Sequence, residues 1–241
     1  MGRTADKVRR MWRSPLPLRQ ATVASSLLLA LMLSACSGDM IPRPRTAHKR
    51  PQAARPAWYN SSYHDPQSFS QCTARLMSYN ARYTALPDRS YGAGCATVSS
   101  VQLLDVGVRT TGLGPMTCQL AANFAAWAHY GVRPAARSIL GSDLVRIETM
   151  GTYNCRNVAG TGNLSEHARG NAIDIAGFLL ADGRRISVRG NWNENSPAAQ
   201  FLRVVRTSAC KRFRTVLSPD FNADHHDHLH FDMGGKGIYC R

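Results

Sequence analysis

Apolar positions along the chain follow a helical period in some stretches and strict alternation in others, and the two periods predict its elements. Between Ser68 and Tyr83, Leu76, Tyr79 and Tyr83 fall near helical spacing. Met116 to Tyr130 predicts a second helix, with Leu120, Phe124 and Trp127 along one stripe that reads as core. Leu144 to Ile147 predicts a strand leading to Tyr153. Ile173 and Ile175 alternate with Ala172, Asp174 and Ala176, which predicts a strand with one apolar face. Asp182 and Gly183 then mark a hairpin turn before Ile186, Ser187 and Val188. A third helix is expected from Pro197 to Phe213, capped by Ser196, with Phe201, Leu202, Val205 and Ala209 facing the core. Thr215 to Leu217 is a short strand, and Ser218-Pro219-Asp220 the turn after it. Leu229, Phe231 and Met233 alternate with His228, His230 and Asp232, a last strand. Helices beside a small antiparallel sheet make the expected fold class α+β.

The polar faces of two of these strands carry the chemistry. Residues 224 to 233 hold four histidines and three aspartates. Upstream, Ser165 to Asp174 places His167 and Asp174 seven residues apart. Straight, that spacing spans about 23 Å as a strand or about 10 Å as a helix. Zinc holds its ligands at about 2.0–2.2 Å, so both are too long for one ion. The segment must turn, and Gly170 can supply the turn. Paired in one sheet, the two strands would bring His167, Asp174 and His230 together and leave a position open for water, as a catalytic zinc requires. A histidine-rich stretch is often only a surface tract. A solvated tract, however, would not need the apolar alternation found in both halves.

Strand alternation puts His228 on the face of His230 and Asp227 on the other, which favours His228 as a general base near neutral pH. Asp227 reaches the site only if the strand begins at His228. Otherwise it orients a histidine ring. His226 reads as a loop residue, and His225 is left between loop and substrate contact.

The rest of the chain sets the address. Arg9, Arg10, Arg13 and Arg19 precede an apolar run, Ala21 to Leu33, too short for an ordinary membrane span. Leu33-Ser34-Ala35-Cys36 looks like a bacterial lipobox, so residues 1–36 are expected to be a lipoprotein signal peptide with Cys36 lipidated. Ser37 after it resembles outer-membrane sorting, facing the periplasm. Residues 37–57, with Pro42, Pro44, Pro51 and Pro56, read as a basic tether reaching roughly 60 Å when extended. Residues 58–241 have the length of one domain.

The net charge of +15 lies largely in the leader and tether, because residues 61–241 hold 19 Lys+Arg against 13 Asp+Glu. That balance, with no nucleic-acid motif, gives no reason to expect nucleic acid as a partner. Six cysteines remain after Cys36: Cys72, Cys95, Cys118, Cys155, Cys210 and Cys240. In an exported chain an even number implies disulfides. The expected pairing is Cys72 with Cys95, Cys155 with Cys210, and Cys118 with Cys240. None lies in a C-x-x-C pair, which argues against a thiolate zinc site.

The pattern S-x-H-x-x-G-x-A-x-D, met at all ten positions from Ser165 to Asp174, followed by His228-x-His230, resembles the lysostaphin, D-alanyl-D-alanine metallopeptidase and hedgehog superfamily. His225-x-x-His228-x-His230 is similar to the murein endopeptidase form. Tyr153-Asn154-Cys155-Arg156, Ser165-Glu166-His167 and Cys240-Arg241 look most like the bacterial extensin-like C-terminal domain family, over roughly residues 70 to 241. The resemblance implies one zinc per chain on His167, Asp174 and His230, and an active-site role for His228. It also puts a carboxylate at Asp227 and a substrate-binding arginine at Arg156, outside the usual Gly-Tyr-Arg-Ser setting. Ser165 and His225 are read as further substrate contacts.

The expected function is therefore a lipid-anchored, monomeric zinc hydrolase cutting a peptide bond in peptidoglycan stems or crosslinks. Hedgehog relatives keep such a site in a domain known mainly for binding, so a non-catalytic, zinc-stabilised wall-binding module is the alternative. A structural tether between membrane and wall is a third.

Overall fold

A computed structural model describes residues 66–241. The expected signal peptide, Cys36 and the tether of residues 37–57 lie outside the described residues. Helix α1 (Pro66–Ser78) is shorter than the helix expected over 68–83. It ends because Asn80 takes φ 54°, a conformation asparagine tolerates better than most residues. The Asn80 N–H then bonds Met77 O at 2.9 Å and the Ala81 N–H bonds Leu76 O at 3.1 Å, which satisfies the last carbonyls of the helix. Tyr83 falls instead in strand β1 (Arg82–Ala85).

Strands β2 (Arg89–Gly92) and β3 (Cys95–Thr97) form a separate hairpin. Strand β4 (Ser100–Asp105) pairs with β1, β5 (Arg109–Thr111) joins the larger sheet, and β6 (Met116–Thr117) returns to β4. Met116 and Thr117 were expected inside the second helix. Helix α2 (Cys118–Trp127) starts after them, because Thr117 Oγ1 accepts the Leu120 N–H at 3.3 Å and caps it. The helix continues through one π-turn (Ala128–Val132) into α3 (Arg133–Leu140). Sequence periodicity gave no sign of α3, whose proline at the first turn is nevertheless well placed.

The main sheet contains β7 (Leu144–Gly151), β8 (Ala172–Leu180) and β9 (Arg185–Ser187). After helices α4 (Val188–Asn191) and α5 (Pro197–Cys210) it is completed by β10 (Thr215–Leu217), β11 (Leu229–Asp232) and β12 (Tyr239–Cys240). Its order is β12-β10-β11-β8-β7-β5, with β9 on β8. The sheet is larger than expected, with seven strands, and is antiparallel at its centre and parallel at β5/β7 and β10/β12. The α+β class holds. Val188 opens α4 rather than extending β9, and α5 stops short of Phe213. Ser196 caps α5 as expected, accepting the Ala199 N–H at 3.3 Å.

Trp127 knits helices to sheet. It is fully buried, its ring lies 5.1 Å from Phe231 and 6.1 Å from Phe178, and its indole N–H donates to Val205 O at 2.9 Å. Ile173, Ile175, Leu229 and Phe231 fill the same core. Strand alternation turns Asp174 and His230 to the other face. No helix among the described residues is long and apolar enough to cross a membrane.

All three disulfide pairings differ from those expected. The bonds are Cys72–Cys118, Cys95–Cys155 and Cys210–Cys240. Packing decides the pairs: α1 lies against the start of α2, the β2–β3 hairpin against the loop after β7, and the end of α5 beside β12.

Candidate metal centre

Two neighbouring strands bring the first pair of site residues together. In the antiparallel β8/β11 ladder, His230 stands directly opposite Asp174, and directly opposed side chains are the closest across a sheet. His230 Nδ1 lies 2.8 Å from Asp174 Oδ1. The third residue comes from a short 3-10 helix (Glu166–Arg169) just before β8. Ser165 caps it, its hydroxyl accepting the His167 N–H at 3.3 Å. Gly170 ends it at φ 62°, and the chain turns back as the spacing demanded. His167 Nε2 then sits 3.1 Å from Asp174 Oδ2 and 3.3 Å from His230 Nδ1.

Donor atoms of His167, Asp174 and His230 all lie within 4.8 Å of one another. Two imidazoles and one carboxylate, with His167 only 3% and His230 8% exposed, form a set able to hold a divalent metal ion.

Each ring is held from behind. His167 Nδ1 meets the Thr152 carbonyl at 3.2 Å. A carbonyl cannot donate, so Nδ1 carries the proton and Nε2 faces the cluster. The Asn154 N–H bonds His167 O at 3.1 Å, and the Ser165 N–H bonds Arg156 O at 3.1 Å. The Cys95–Cys155 disulfide fixes this loop to the β2–β3 hairpin. His230 Nε2 lies 3.1 Å from Asp232 Oδ2, and Asp232 Oδ1 accepts the Gly234 N–H at 2.9 Å. Sequence alternation had placed Asp232 on the site face without giving it this work, and the Thr152 carbonyl had no side-chain signal at all.

The ionisation states follow from these contacts. Burial raises the Asp174 carboxyl, but hydrogen bonds with His167 and His230 outweigh burial and hold it well below the ordinary carboxylate range. Burial lowers His230, but hydrogen bonds to Asp174 and Asp232 push it up to about 9.

His228 precedes β11 rather than lying in it. Its Nε2 is 3.6 Å from Asp174 Oδ1, and its Nδ1 is 2.9 Å from Asp227 Oδ1. That hydrogen bond holds Asp227 below the usual carboxylate range. Asp227 therefore orients the His228 ring, one of the two roles left open by the sequence. The His225 ring stands 5.1 Å from His228 and 5.8 Å from His230. Burial and its histidine neighbours push His225 down to about 4. His226 is exposed and bonds Ala223 O, as a loop histidine would. The Arg156 side chain is exposed and donates to Asn157 O, so only its backbone is tied to the Ser165 cap.

Gly170 carries the geometry of the turn. A Cβ there would lie 3.1 Å from Pro115 O, and the left-handed backbone adds about 1–2 kcal/mol for any other residue. Gly170→Ala is expected to lower stability by about that amount in denaturant titration.

A cavity of about 740 Å³ lies along the outer face of α5, lined by residues such as Gln200, Arg203 and Thr207 and, among the described residues, by no histidine or cysteine. The reactive groups converge elsewhere, so chemistry rather than volume identifies the site. A family model described as "Extensin-like protein C-terminus" matches residues 70–241. No curated protein and no solved structure matches the chain.

Proposed function

This chain belongs to the extensin-like protein C-terminus family, and from its buried His–Asp–His cluster we propose that it is a zinc-dependent hydrolase of the bacterial cell wall. The bond cut is a peptide bond in peptidoglycan stems or crosslinks. The observation that carries this reading is the convergence of His167, Asp174 and His230 within 4.8 Å, with the Nε2 of a fourth side chain, His228, 3.6 Å from Asp174 Oδ1. Their ligand types suit zinc, and thiolates are absent from the set.

When bound, zinc would supply Lewis acidity and a water acidic enough to be deprotonated near neutral pH. The protein supplies the remaining chemistry. Asp227 accepts from His228 Nδ1, which leaves Nε2 as the basic nitrogen facing the cluster. His228 can then take a proton from an attacking water and return it to the leaving amine. His225, held largely neutral with Nδ1 at Asn222 Oδ1, can contact substrate without competing as a cation. Asp232 and the Thr152 carbonyl keep both ligand rings from rotating.

Binding of a cation must displace the proton from His230. Below about 9 the metal-free ring is protonated, so metal affinity should rise with pH toward that value and level off above it. Zinc titrations across pH, read by calorimetry, check this. An affinity that is flat between pH 6 and about 9 contradicts the linkage.

Export and lipid anchoring through Cys36 belong to the same proposal, as do peptidoglycan as substrate and action as a monomer. Cys36→Ser is expected to move the protein from membrane to soluble fractions, with loss of the acyl mass. Unchanged membrane retention without acylation counts against the anchor.

The deciding experiment incubates the full-length, zinc-loaded protein with crosslinked wall fragments and identifies products by mass. New peptide ends support the hydrolase. Fragments that bind but stay intact favour the zinc-stabilised binding module.

A further inference from the structure

Two aromatic rings lie open to solvent beside this cluster. Phe221 is 39% and Tyr239 45% exposed. The Phe221 ring sits 5.5 Å from His225, whose own ring reaches His228 at 5.1 Å and His230 at 5.8 Å. Phe221 also meets Tyr239 edge to face at 6.0 Å. A continuous row of rings thus runs from the metal cluster outward to solvent. The Arg241 guanidinium lies 5.8 Å from the Tyr239 ring centre, which puts a strong donor at the outer end of the row.

Neither ring is loosely hung. Phe221 N–H bonds Ser218 O at 2.9 Å, and the adjacent Asp220 accepts the N–H of the buried Trp192 at 2.8 Å. Tyr239 N–H bonds Arg214 O at 2.6 Å in β12, which the Cys210–Cys240 disulfide ties to α5. Backbone contacts thus hold two part-exposed apolar rings side by side at the edge of the cluster, a pre-set surface that a ligand could meet at little ordering cost.

We propose that Phe221, Tyr239 and Arg241 form a saccharide subsite next to the His–Asp–His cluster. A sugar ring offers just what this corner lacks: an apolar C–H face for the aromatic rings and hydroxyl or acyl oxygens at its edge for the guanidinium. In the wall polymer the peptide is attached to the glycan strand. The subsite would seat that strand while the peptide enters the cluster past His225. This inference rests on the wall-hydrolase reading for its substrate.

The test uses the full-length, zinc-loaded protein and a soluble, peptide-free oligosaccharide of N-acetylated amino sugars, with binding followed by calorimetry. Phe221→Ala and Tyr239→Ala should each weaken binding about tenfold, a factor equal to about 1.4 kcal/mol, with zinc content unchanged. Tyr130→Ala removes an exposed ring outside this row (57% exposed) and should leave binding as in the wild type. Wild-type protein that binds no oligosaccharide, or binding equally weakened by all three changes or by none, overturns the subsite. Oligosaccharide binding that needs Phe221 and Tyr239, in a protein that cuts no wall peptide, supports the subsite and refutes the hydrolase instead.

Discussion

The double variant His167→Ala, His230→Ala is expected to hold no stoichiometric zinc, whereas the native chain should carry one ion. Structural zinc sites bind with roughly 10–16 kcal/mol spread over four ligands, so each ligand is worth about 3 kcal/mol and two are worth roughly four powers of ten. The two residues enter from different elements, a 3-10 helix and β11, and converge on Asp174 and on each other. Losing both leaves one carboxylate, which cannot hold a metal by itself against water. It also strips Asp174 of the hydrogen bonds that keep it ionised, so a stability measurement must accompany the metal analysis. A folded double variant with one zinc per chain would show that the cluster is not the metal site.

Much of that cluster was readable because β8 and β11 each keep their large buried apolar side chains on a single face. Ile173 and Ile175, and Leu229 and Phe231, could be core only if Asp174 and His230 pointed away from it. The turn at Gly170 was forced by the seven-residue spacing of His167 and Asp174. Other features depend on partners that side-chain patterns do not encode. The Thr152 carbonyl that fixes His167 is backbone, common to every residue type. Disulfide partners are set by which helices and hairpins pack, so Cys72 meets Cys118 only once α1 lies on α2. Short exposed strands such as β1 and β2 carry too little apolar alternation to register. Asn80 ended α1 through a conformation that helical spacing alone did not reveal.

The proposed proton carrier is where the structure adds most to the sequence reading. His228 stands outside β11, so strand alternation does not supply the warrant for its proposed role. The better warrant is that Asp227 holds one ring nitrogen at 2.9 Å while the other faces Asp174 at 3.6 Å. A carboxylate behind an imidazole fixes its tautomer and its orientation. His228→Ala should therefore retain zinc and lose about 10²–10⁴-fold in turnover, the usual scale of acid–base assistance. Asp227→Asn keeps the shape but weakens the orientation, and should cost roughly 10–100-fold. Single-turnover assays on wall fragments, with metal content measured on the same samples, read both effects. If Asp227→Asn loses more than His228→Ala, the carboxylate is the base and the histidine its support. If His228→Ala loses its zinc along with its activity, His228 is a fourth ligand and not the proton carrier.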